Sequence, residues 1–194
     1  HQRSRLLAKH DAVVKQFKVL GGQAHTNPQS DNLNLFTSIR PNDMRRADLL
    51  LRGMGKSGNG LLLDFSLPDV RNPSNARIGA NGVRAVGDKK SADKDRKYLT
   101  ICHRAGLSFM PAVMEIFGNA SDELMNLIKA LVERASNRSH IPFHVLLPYW
   151  IKRISMTVQK GNAKHWFDSH VRMTGGTVYL QDSSLALETH HLHI

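Results

Sequence analysis

The sequence predicts an α/β fold, and three observations carry that reading. Two leucine-rich runs, Ala47-Asp48-Leu49-Leu50-Leu51 and Leu61-Leu62-Leu63-Asp64-Phe65-Ser66, have strand length and flank a glycine-rich turn. The leucines run on without alternation, as in a sheet covered on both faces. Before and after them, apolar residues recur at helical spacing.

From Ser4 to Leu20, the apolar positions Leu6, Leu7, Val13, Val14, Phe17 and Leu20 predict a helix that Gly21-Gly22 stops. Residues 23–40 are polar around Pro28, a loop with room for a short strand. Strands follow at 47–52 and 61–67, joined through Gly53-Met54-Gly55-Lys56-Ser57-Gly58-Asn59-Gly60. That turn contains a Gly-Lys-Ser, but a strand follows it, so no helix N-terminus faces a phosphate there and a hairpin is the better reading. Residues 68–90, rich in glycine, asparagine and arginine, predict an open loop leading to a helix near 91–105. Leu107 to Val113 reads as a third strand. Ser121 caps an amphipathic helix to Arg134, with Leu124, Leu127, Ile128, Leu131 and Val132 on its buried face. Pro142 and Pro148 punctuate the next segment, and Tyr149 to Met173 reads as one or two basic helices. The tail from Gly175 has β character and ends His190-His191-Leu192-His193, too weak a pattern to signify a metal site. The expected organisation is a core over 1–135, a basic helical appendage over 136–174 and a tail over 175–194.

Charge makes the strongest compositional statement. The 194 residues hold 27 Lys+Arg against 16 Asp+Glu, a net +11, which calls for a polyanionic partner. The cations are dispersed along the chain, which favours nucleic acid over a membrane surface, and no apolar run reaches membrane-spanning length. Candidate phosphate contacts are Arg71, Arg77, Arg84, Lys89, Lys90 and Arg96 in one stretch. A second group is Lys152, Arg153 and Lys164, with Tyr149, Trp150 and Trp166 interleaved. Trp150 is read as core. Cys102 is the sole cysteine, so no disulfide framework or cysteine-based zinc site exists, and a buried helical thiol is expected.

An aspartate in or beside a leucine run costs about 2–7 kcal/mol unless something satisfies it. Asp48 and Asp64 on adjacent strands can share a divalent metal, for which carboxylate oxygens are suitable ligands. Lys94 or Lys97, from Lys94-Asp95-Arg96-Lys97-Tyr98, would stabilise the phosphate or position the attacking water. The alternative is that both aspartates are solvated, or paired with Arg45, Arg46 or Arg71.

Carboxylate, carboxylate and lysine on a strand–turn–strand–helix frame follow the logic of restriction-endonuclease-like nucleases. Arg46-Ala47-Asp48, a turn, and Asp64-Phe65-Ser66 resemble the C-terminal endonuclease domain of non-LTR retrotransposon reverse transcriptases. Lys9-His10-Asp11-Ala12-Val13, Lys94 to Tyr98, Phe109-Met110-Pro111 running into Phe117-Gly118, Trp150 to Ser155, and Gly161-Asn162-Ala163 extend the resemblance over roughly 9–170. Alanine replaces the family's proline before Asp48, and the spacer to Asp64 is slightly longer than usual. The resemblance implies a restriction-endonuclease-like mixed sheet flanked by helices, with a helical C-terminal appendage. It also implies catalytic roles for Asp48, Asp64, Lys94 and Lys97, with Mg²⁺ on the two aspartates if the site is active and no cofactor otherwise.

Two functions are expected from this. The first is a domesticated, non-catalytic RNA-binding component of a ribonucleoprotein, such as a mitochondrial or other organellar ribosome, beside neighbouring proteins of that particle. The second is a Mg²⁺-dependent DNA-nicking endonuclease, with a nuclear setting. The family's zinc motif and polymerase would precede the first residue of this chain, which favours the first reading. His1 in place of methionine suggests a processed or partial chain, an excised organellar transit peptide being one explanation.

Overall fold

The two leucine runs pair with each other. β1 (Leu49–Leu51) lies antiparallel to β2 (Leu61–Ser66), with Leu49 opposite Leu63 and Leu51 opposite Leu61. β3 (Ser108–Val113) runs parallel along the other side of β2, giving the order β1-β2-β3. The computed structural model describes residues 2–29, 47–82 and 84–174. The 175–194 tail, most of the 23–40 loop, and Arg45 and Arg46 lie outside the described residues.

Side chains alternate across the sheet and each face finds its own cover. Leu49, Leu51, Leu61, Leu63 and Phe65 pack against α1 (Gln2–Gln23), α4 (Asp122–Ser139) and α5 (Phe143–Thr174) through Phe17, Leu20, Leu131 and Trp150. Leu50 and Leu62 turn to the opposite face and meet Tyr98, Ile101 and Cys102 of α3 (Ala85–Arg104). The molecule is thus a mixed α/β structure with a helical layer on both sides, as the unbroken leucines require. Pro111 is tolerated in β3 because it sits on a strand with one paired side, where a missing N–H breaks no second ladder. No helix among the described residues is long and apolar enough to cross a membrane.

The hairpin reading of the glycine-rich turn holds. A 3₁₀ turn over Lys56–Gly58 closes it, and Gly55 N–H donates to Asn59 O at 2.7 Å. Gly55 has to be glycine, since a Cβ there would lie 2.6 Å from the backbone oxygen of Gly60.

Two expectations need correction. The stretch 68–90 is not an open loop: it contains α2 (Pro73–Gly79), and α3 begins at Ala85. Asn72 starts α2, its side chain accepting from Ser74 N–H, and Pro73 occupies the first turn, where its missing N–H costs nothing. These two helices form the crossover that the parallel β2–β3 pair requires. Nor does Pro148 separate segments, because α5 runs through it from Phe143 to Thr174. An interior proline costs a helix about 3 kcal/mol. Here Leu146, Leu147 and the fully buried Trp150 flank it and pack on the core, which holds the helix together. The helix read as an appendage therefore places Trp150, Ile154 and Val158 in the same cluster as Phe17 and Leu131.

Helix α4 behaves as its sequence predicts. Ser121 Oγ accepts from Leu124 N–H at 3.2 Å, and Leu124, Leu127, Ile128, Leu131 and Val132 are buried. Leu131→Ala should lower unfolding free energy by about 2–5 kcal/mol in urea titration. Leu99→Ala, on an exposed position of α3, should stay within about 0.5 kcal/mol of the parent.

Candidate active site

Strand register decides which carboxylates meet. The β1–β2 pairing ends at Leu49 and Leu63, and the next residues, Asp48 and Asp64, lie close enough for each to act on the other's proton affinity. Asp48 lies just before β1 and donates its N–H to Leu63 O at 3.0 Å, turning toward β2 where a regular strand would turn away, as in a bulge. Asp64 alternates with Leu63 and Phe65, so it faces α3 rather than α1.

Each carboxylate has a cation from a different helix. Lys94 Nζ of α3 donates to Asp64 Oδ2 and to Phe65 O, the latter at 3.0 Å. His10 Nε2 of α1 lies 3.1 Å from Asp48 Oδ2, which also accepts from Phe65 N–H at 2.6 Å. The other His10 nitrogen meets Asp11 Oδ1 at 3.0 Å. Phe65 therefore uses both of its backbone polar groups at this site, N–H to Asp48 and C=O to Lys94.

The protonation states follow from these contacts. The hydrogen bond to Asp48 raises the His10 imidazole to about 9, burial opposing it, so His10 is a cation at neutral pH. Burial pushes Asp48 upward, but the hydrogen bond and charge of His10, with the Phe65 N–H, hold it below the ordinary carboxylate value. Asp64 moves the other way: burial lifts it, Lys94 pulls it down, and the neighbouring Asp48 lifts it again, with a net rise. Two adjacent carboxylates with opposed shifts are the arrangement in which one ionises readily and the other resists.

Carboxylate oxygens are the donor type that Mg²⁺ takes, although Oδ2 of each aspartate here already meets a protein cation. Two hard carboxylates, one destabilised by the other's charge, are a suitable protein share for an ion that usually takes one or two carboxylates and fills its remaining positions with water and phosphate. Among the described residues no group of three or more His, Cys, Asp or Glu converges, and Asp48 and Asp64 are the carboxylates that an ion at this position would meet. When bound, such an ion supplies Lewis-acid polarisation of a phosphodiester. Lys94 would bring a positive charge to the same edge, fixed by Phe65 O.

Asp48, Asp64 and Lys94 are thus brought together, and Lys97 lies about one turn further along α3. It is exposed, and its ammonium lies 4.7 Å from the Tyr98 ring centroid. The proposed phosphate contacts divide between the two faces of the sheet. Lys89, Lys90 and the exposed Arg96 sit on α3; Arg96 pairs with Asp93. Arg84 caps α3 in a left-handed conformation, φ +69°, and reaches Asp122 at 2.6 Å. Arg77 is exposed on α2, and Lys152 and Lys164 are exposed on α5. Arg153 is engaged in packing: its guanidinium donates to Gln16 and Tyr149, both at 2.6 Å, and lies 5.3 Å from the Trp150 ring. Arg71 is held by both Asp69 oxygens at 3.0 Å.

His10 had no assigned role in the sequence reading, although a signal was present. It precedes Val13, Val14 and Phe17 by three, four and seven residues, which puts it on the core-facing stripe of α1. Glu115 was also missed: it is buried, with Oε1 lacking a hydrogen-bond partner among the described residues. Compared with family models the chain matches none, and comparison with curated proteins gives no match either.

The His10–Asp48 pair makes stability pH-dependent. Because His10 is raised from 6.5 to about 9, its contribution is complete below pH 6.5 and is lost as pH climbs through 9. Asp48 is lowered, so its share is present above the ordinary carboxylate value of 3.8 and fades as pH falls below it. Between pH 6.5 and 9 the parent should lose about 2–3 kcal/mol more than His10→Ala does, read from urea midpoints across pH.

Proposed function

We propose that this chain is a nucleic-acid-binding protein of retroelement-endonuclease descent, with a restriction-endonuclease-like core that cleaves a phosphodiester at Asp48, Asp64 and Lys94. One observation carries the reading. Three residues separated by 16 and 30 positions in sequence meet at one sheet edge, with a lysine amine on the second carboxylate. Sequence alone leans toward a non-catalytic role; the convergence supports a constellation able to do chemistry. In that chemistry Asp48 and Asp64 would hold Mg²⁺. Lys94, fixed on Phe65 O, would stabilise the charge that grows on the phosphate oxygens. His10 would keep Asp48 ionised.

A second reading is favoured by a different observation. His10 and Lys94 already give each carboxylate a cationic partner, so the edge is electrically matched by protein groups alone. A domesticated RNA-binding component of a ribonucleoprotein would retain that arrangement for stability. The net charge of +11 serves either function.

Purified protein with Mg²⁺ should nick duplex DNA, and Asp64→Asn should reduce nicking to background. Lys94→Ala should cost about 10²–10³ in rate, the usual loss on removing one preorganised electrostatic donor. If no divalent ion yields nicking while RNA still binds, the non-catalytic reading replaces this one. Binding in either case should weaken with salt, the log–log slope falling by roughly 0.7–0.9 per phosphate contacted. A flat response between low and moderate salt would remove the polyanion partner altogether.

A further inference from the structure

A cleft of about 530 Å³ opens beside α5, lined by neither Asp48 nor Asp64, and its lining inverts the usual distribution of residue types. Phe117 and Trp166 expose 55% and 67% of their surface, while Lys9 is only 8% exposed. Large rings in water and a lysine out of it both run against the normal preferences. All three line the same cleft.

The lysine is built into place. Gly161 has no Cβ, and one there would come within 2.6 Å of Lys9 Cγ, so the lysine stem lies across α5 at that glycine. Asn162 Oδ1 accepts from Lys9 Nζ at 2.9 Å, and Asn162 Nδ2 donates to Ile116 O at 2.5 Å. An ammonium has three N–H donors, which leaves capacity for an oxygen in the cleft. Burial lowers the Lys9 pKa, a cost that an anionic oxygen would offset.

The aromatic side is equally prepared. Both oxygens of Asp69 grip Arg71 at 3.0 Å, and its guanidinium carbon lies 5.8 Å from the Phe117 ring centroid. Asp69, though paired with Arg71, also acts on Lys9 and favours its charged form against burial. Trp166 stacks on His170, with centroids 5.6 Å apart and planes at 7°. The volume lies within the ~300–1,000 Å³ typical of small-ligand sites.

We propose that this cleft holds one unpaired nucleotide of a nucleic-acid strand, its base against Phe117 or Trp166 and its phosphate on Lys9. The inference rests on the nucleic-acid-binding reading above and adds to it a preference for single-stranded segments. A duplex hides its base faces in the stack, whereas a single strand can present one to a ring. Lys9 and His10 are consecutive on α1, so one turn of that helix serves both the cleft and the carboxylate pair.

The test uses a short single-stranded RNA with one internal 2-aminopurine, and a duplex of the same sequence at the same salt. Binding to the parent protein should quench the 2-aminopurine. Phe117→Ala and Trp166→Ala together should weaken single-strand binding by about tenfold or more and remove the quench, with a smaller loss on duplex. Both positions are exposed, and circular dichroism would confirm an unchanged fold. Free adenosine monophosphate should compete poorly, since it lacks the flanking phosphates that the basic surface holds. Equal losses on single strand and duplex, an unchanged affinity, or tight binding of the mononucleotide without the strand would each overturn the proposal. If the parent binds RNA with the expected salt dependence and the double variant does not differ, this inference fails and the nucleic-acid reading stands. If the parent binds neither form, both fall.

Discussion

Two carboxylates face one another inside a sheet of leucines, and much of the molecule is organised to tolerate them. The pairing of β1 and β2 brings Asp48, just before β1, near Asp64, and each is largely removed from water. Unpaired, each would cost several kcal/mol and would tend to take up a proton. The solution comes from opposite sides: α1 brings His10 to Asp48, and α3 brings Lys94 to Asp64. The helical layers that cover the leucines therefore also bring the compensating charges. A slip of β2 by one residue would turn Asp64 to the other face and away from Lys94.

The same coupling ties the site to distant parts of the chain. His10 belongs to a helix whose neighbouring residue, Lys9, is fastened to Asn162 on α5. Asn162 in turn bonds the backbone of Ile116, just after β3. Gly161-Asn162-Ala163 thus has a structural role: the glycine admits the Lys9 stem and the asparagine joins three segments. Arg153 performs a related task one face along, covering Trp150 and holding Gln16 of α1. Cations on α5 are accordingly of two kinds. Arg153 packs helices together, whereas Lys152 and Lys164 are exposed on the helix surface.

Much of the fold was legible in sequence because its signals are local. The leucine runs, the Ser121 cap, the buried stripe of α4 and the buried Trp150 and Cys102 all depend on neighbours within a few residues, and each is found where the pattern put it. The helix hidden in 68–90 was obscured by its composition, since Asn72 and Pro73 read equally well as loop residues and as a helix start. Continuity through Pro148 was not legible for a different reason. The contacts that hold that helix come from α1 and α4, remote in sequence, and they outweigh the local penalty.

For the site, sequence by itself determined the residue types: two aspartates beside leucines, a lysine in a following helix, and a basic chain of net +11. It could not determine their partners. Lys94 and Lys97 looked alike, and only the packing of α3 on β2 gave Asp64 to Lys94 and left Lys97 over Tyr98. His10 gained its role, and its raised basicity, because α1 crosses the end of β1. Charge pairing depends on separations of a few ångströms, while sequence spacing constrains such separations only within a single helix or strand.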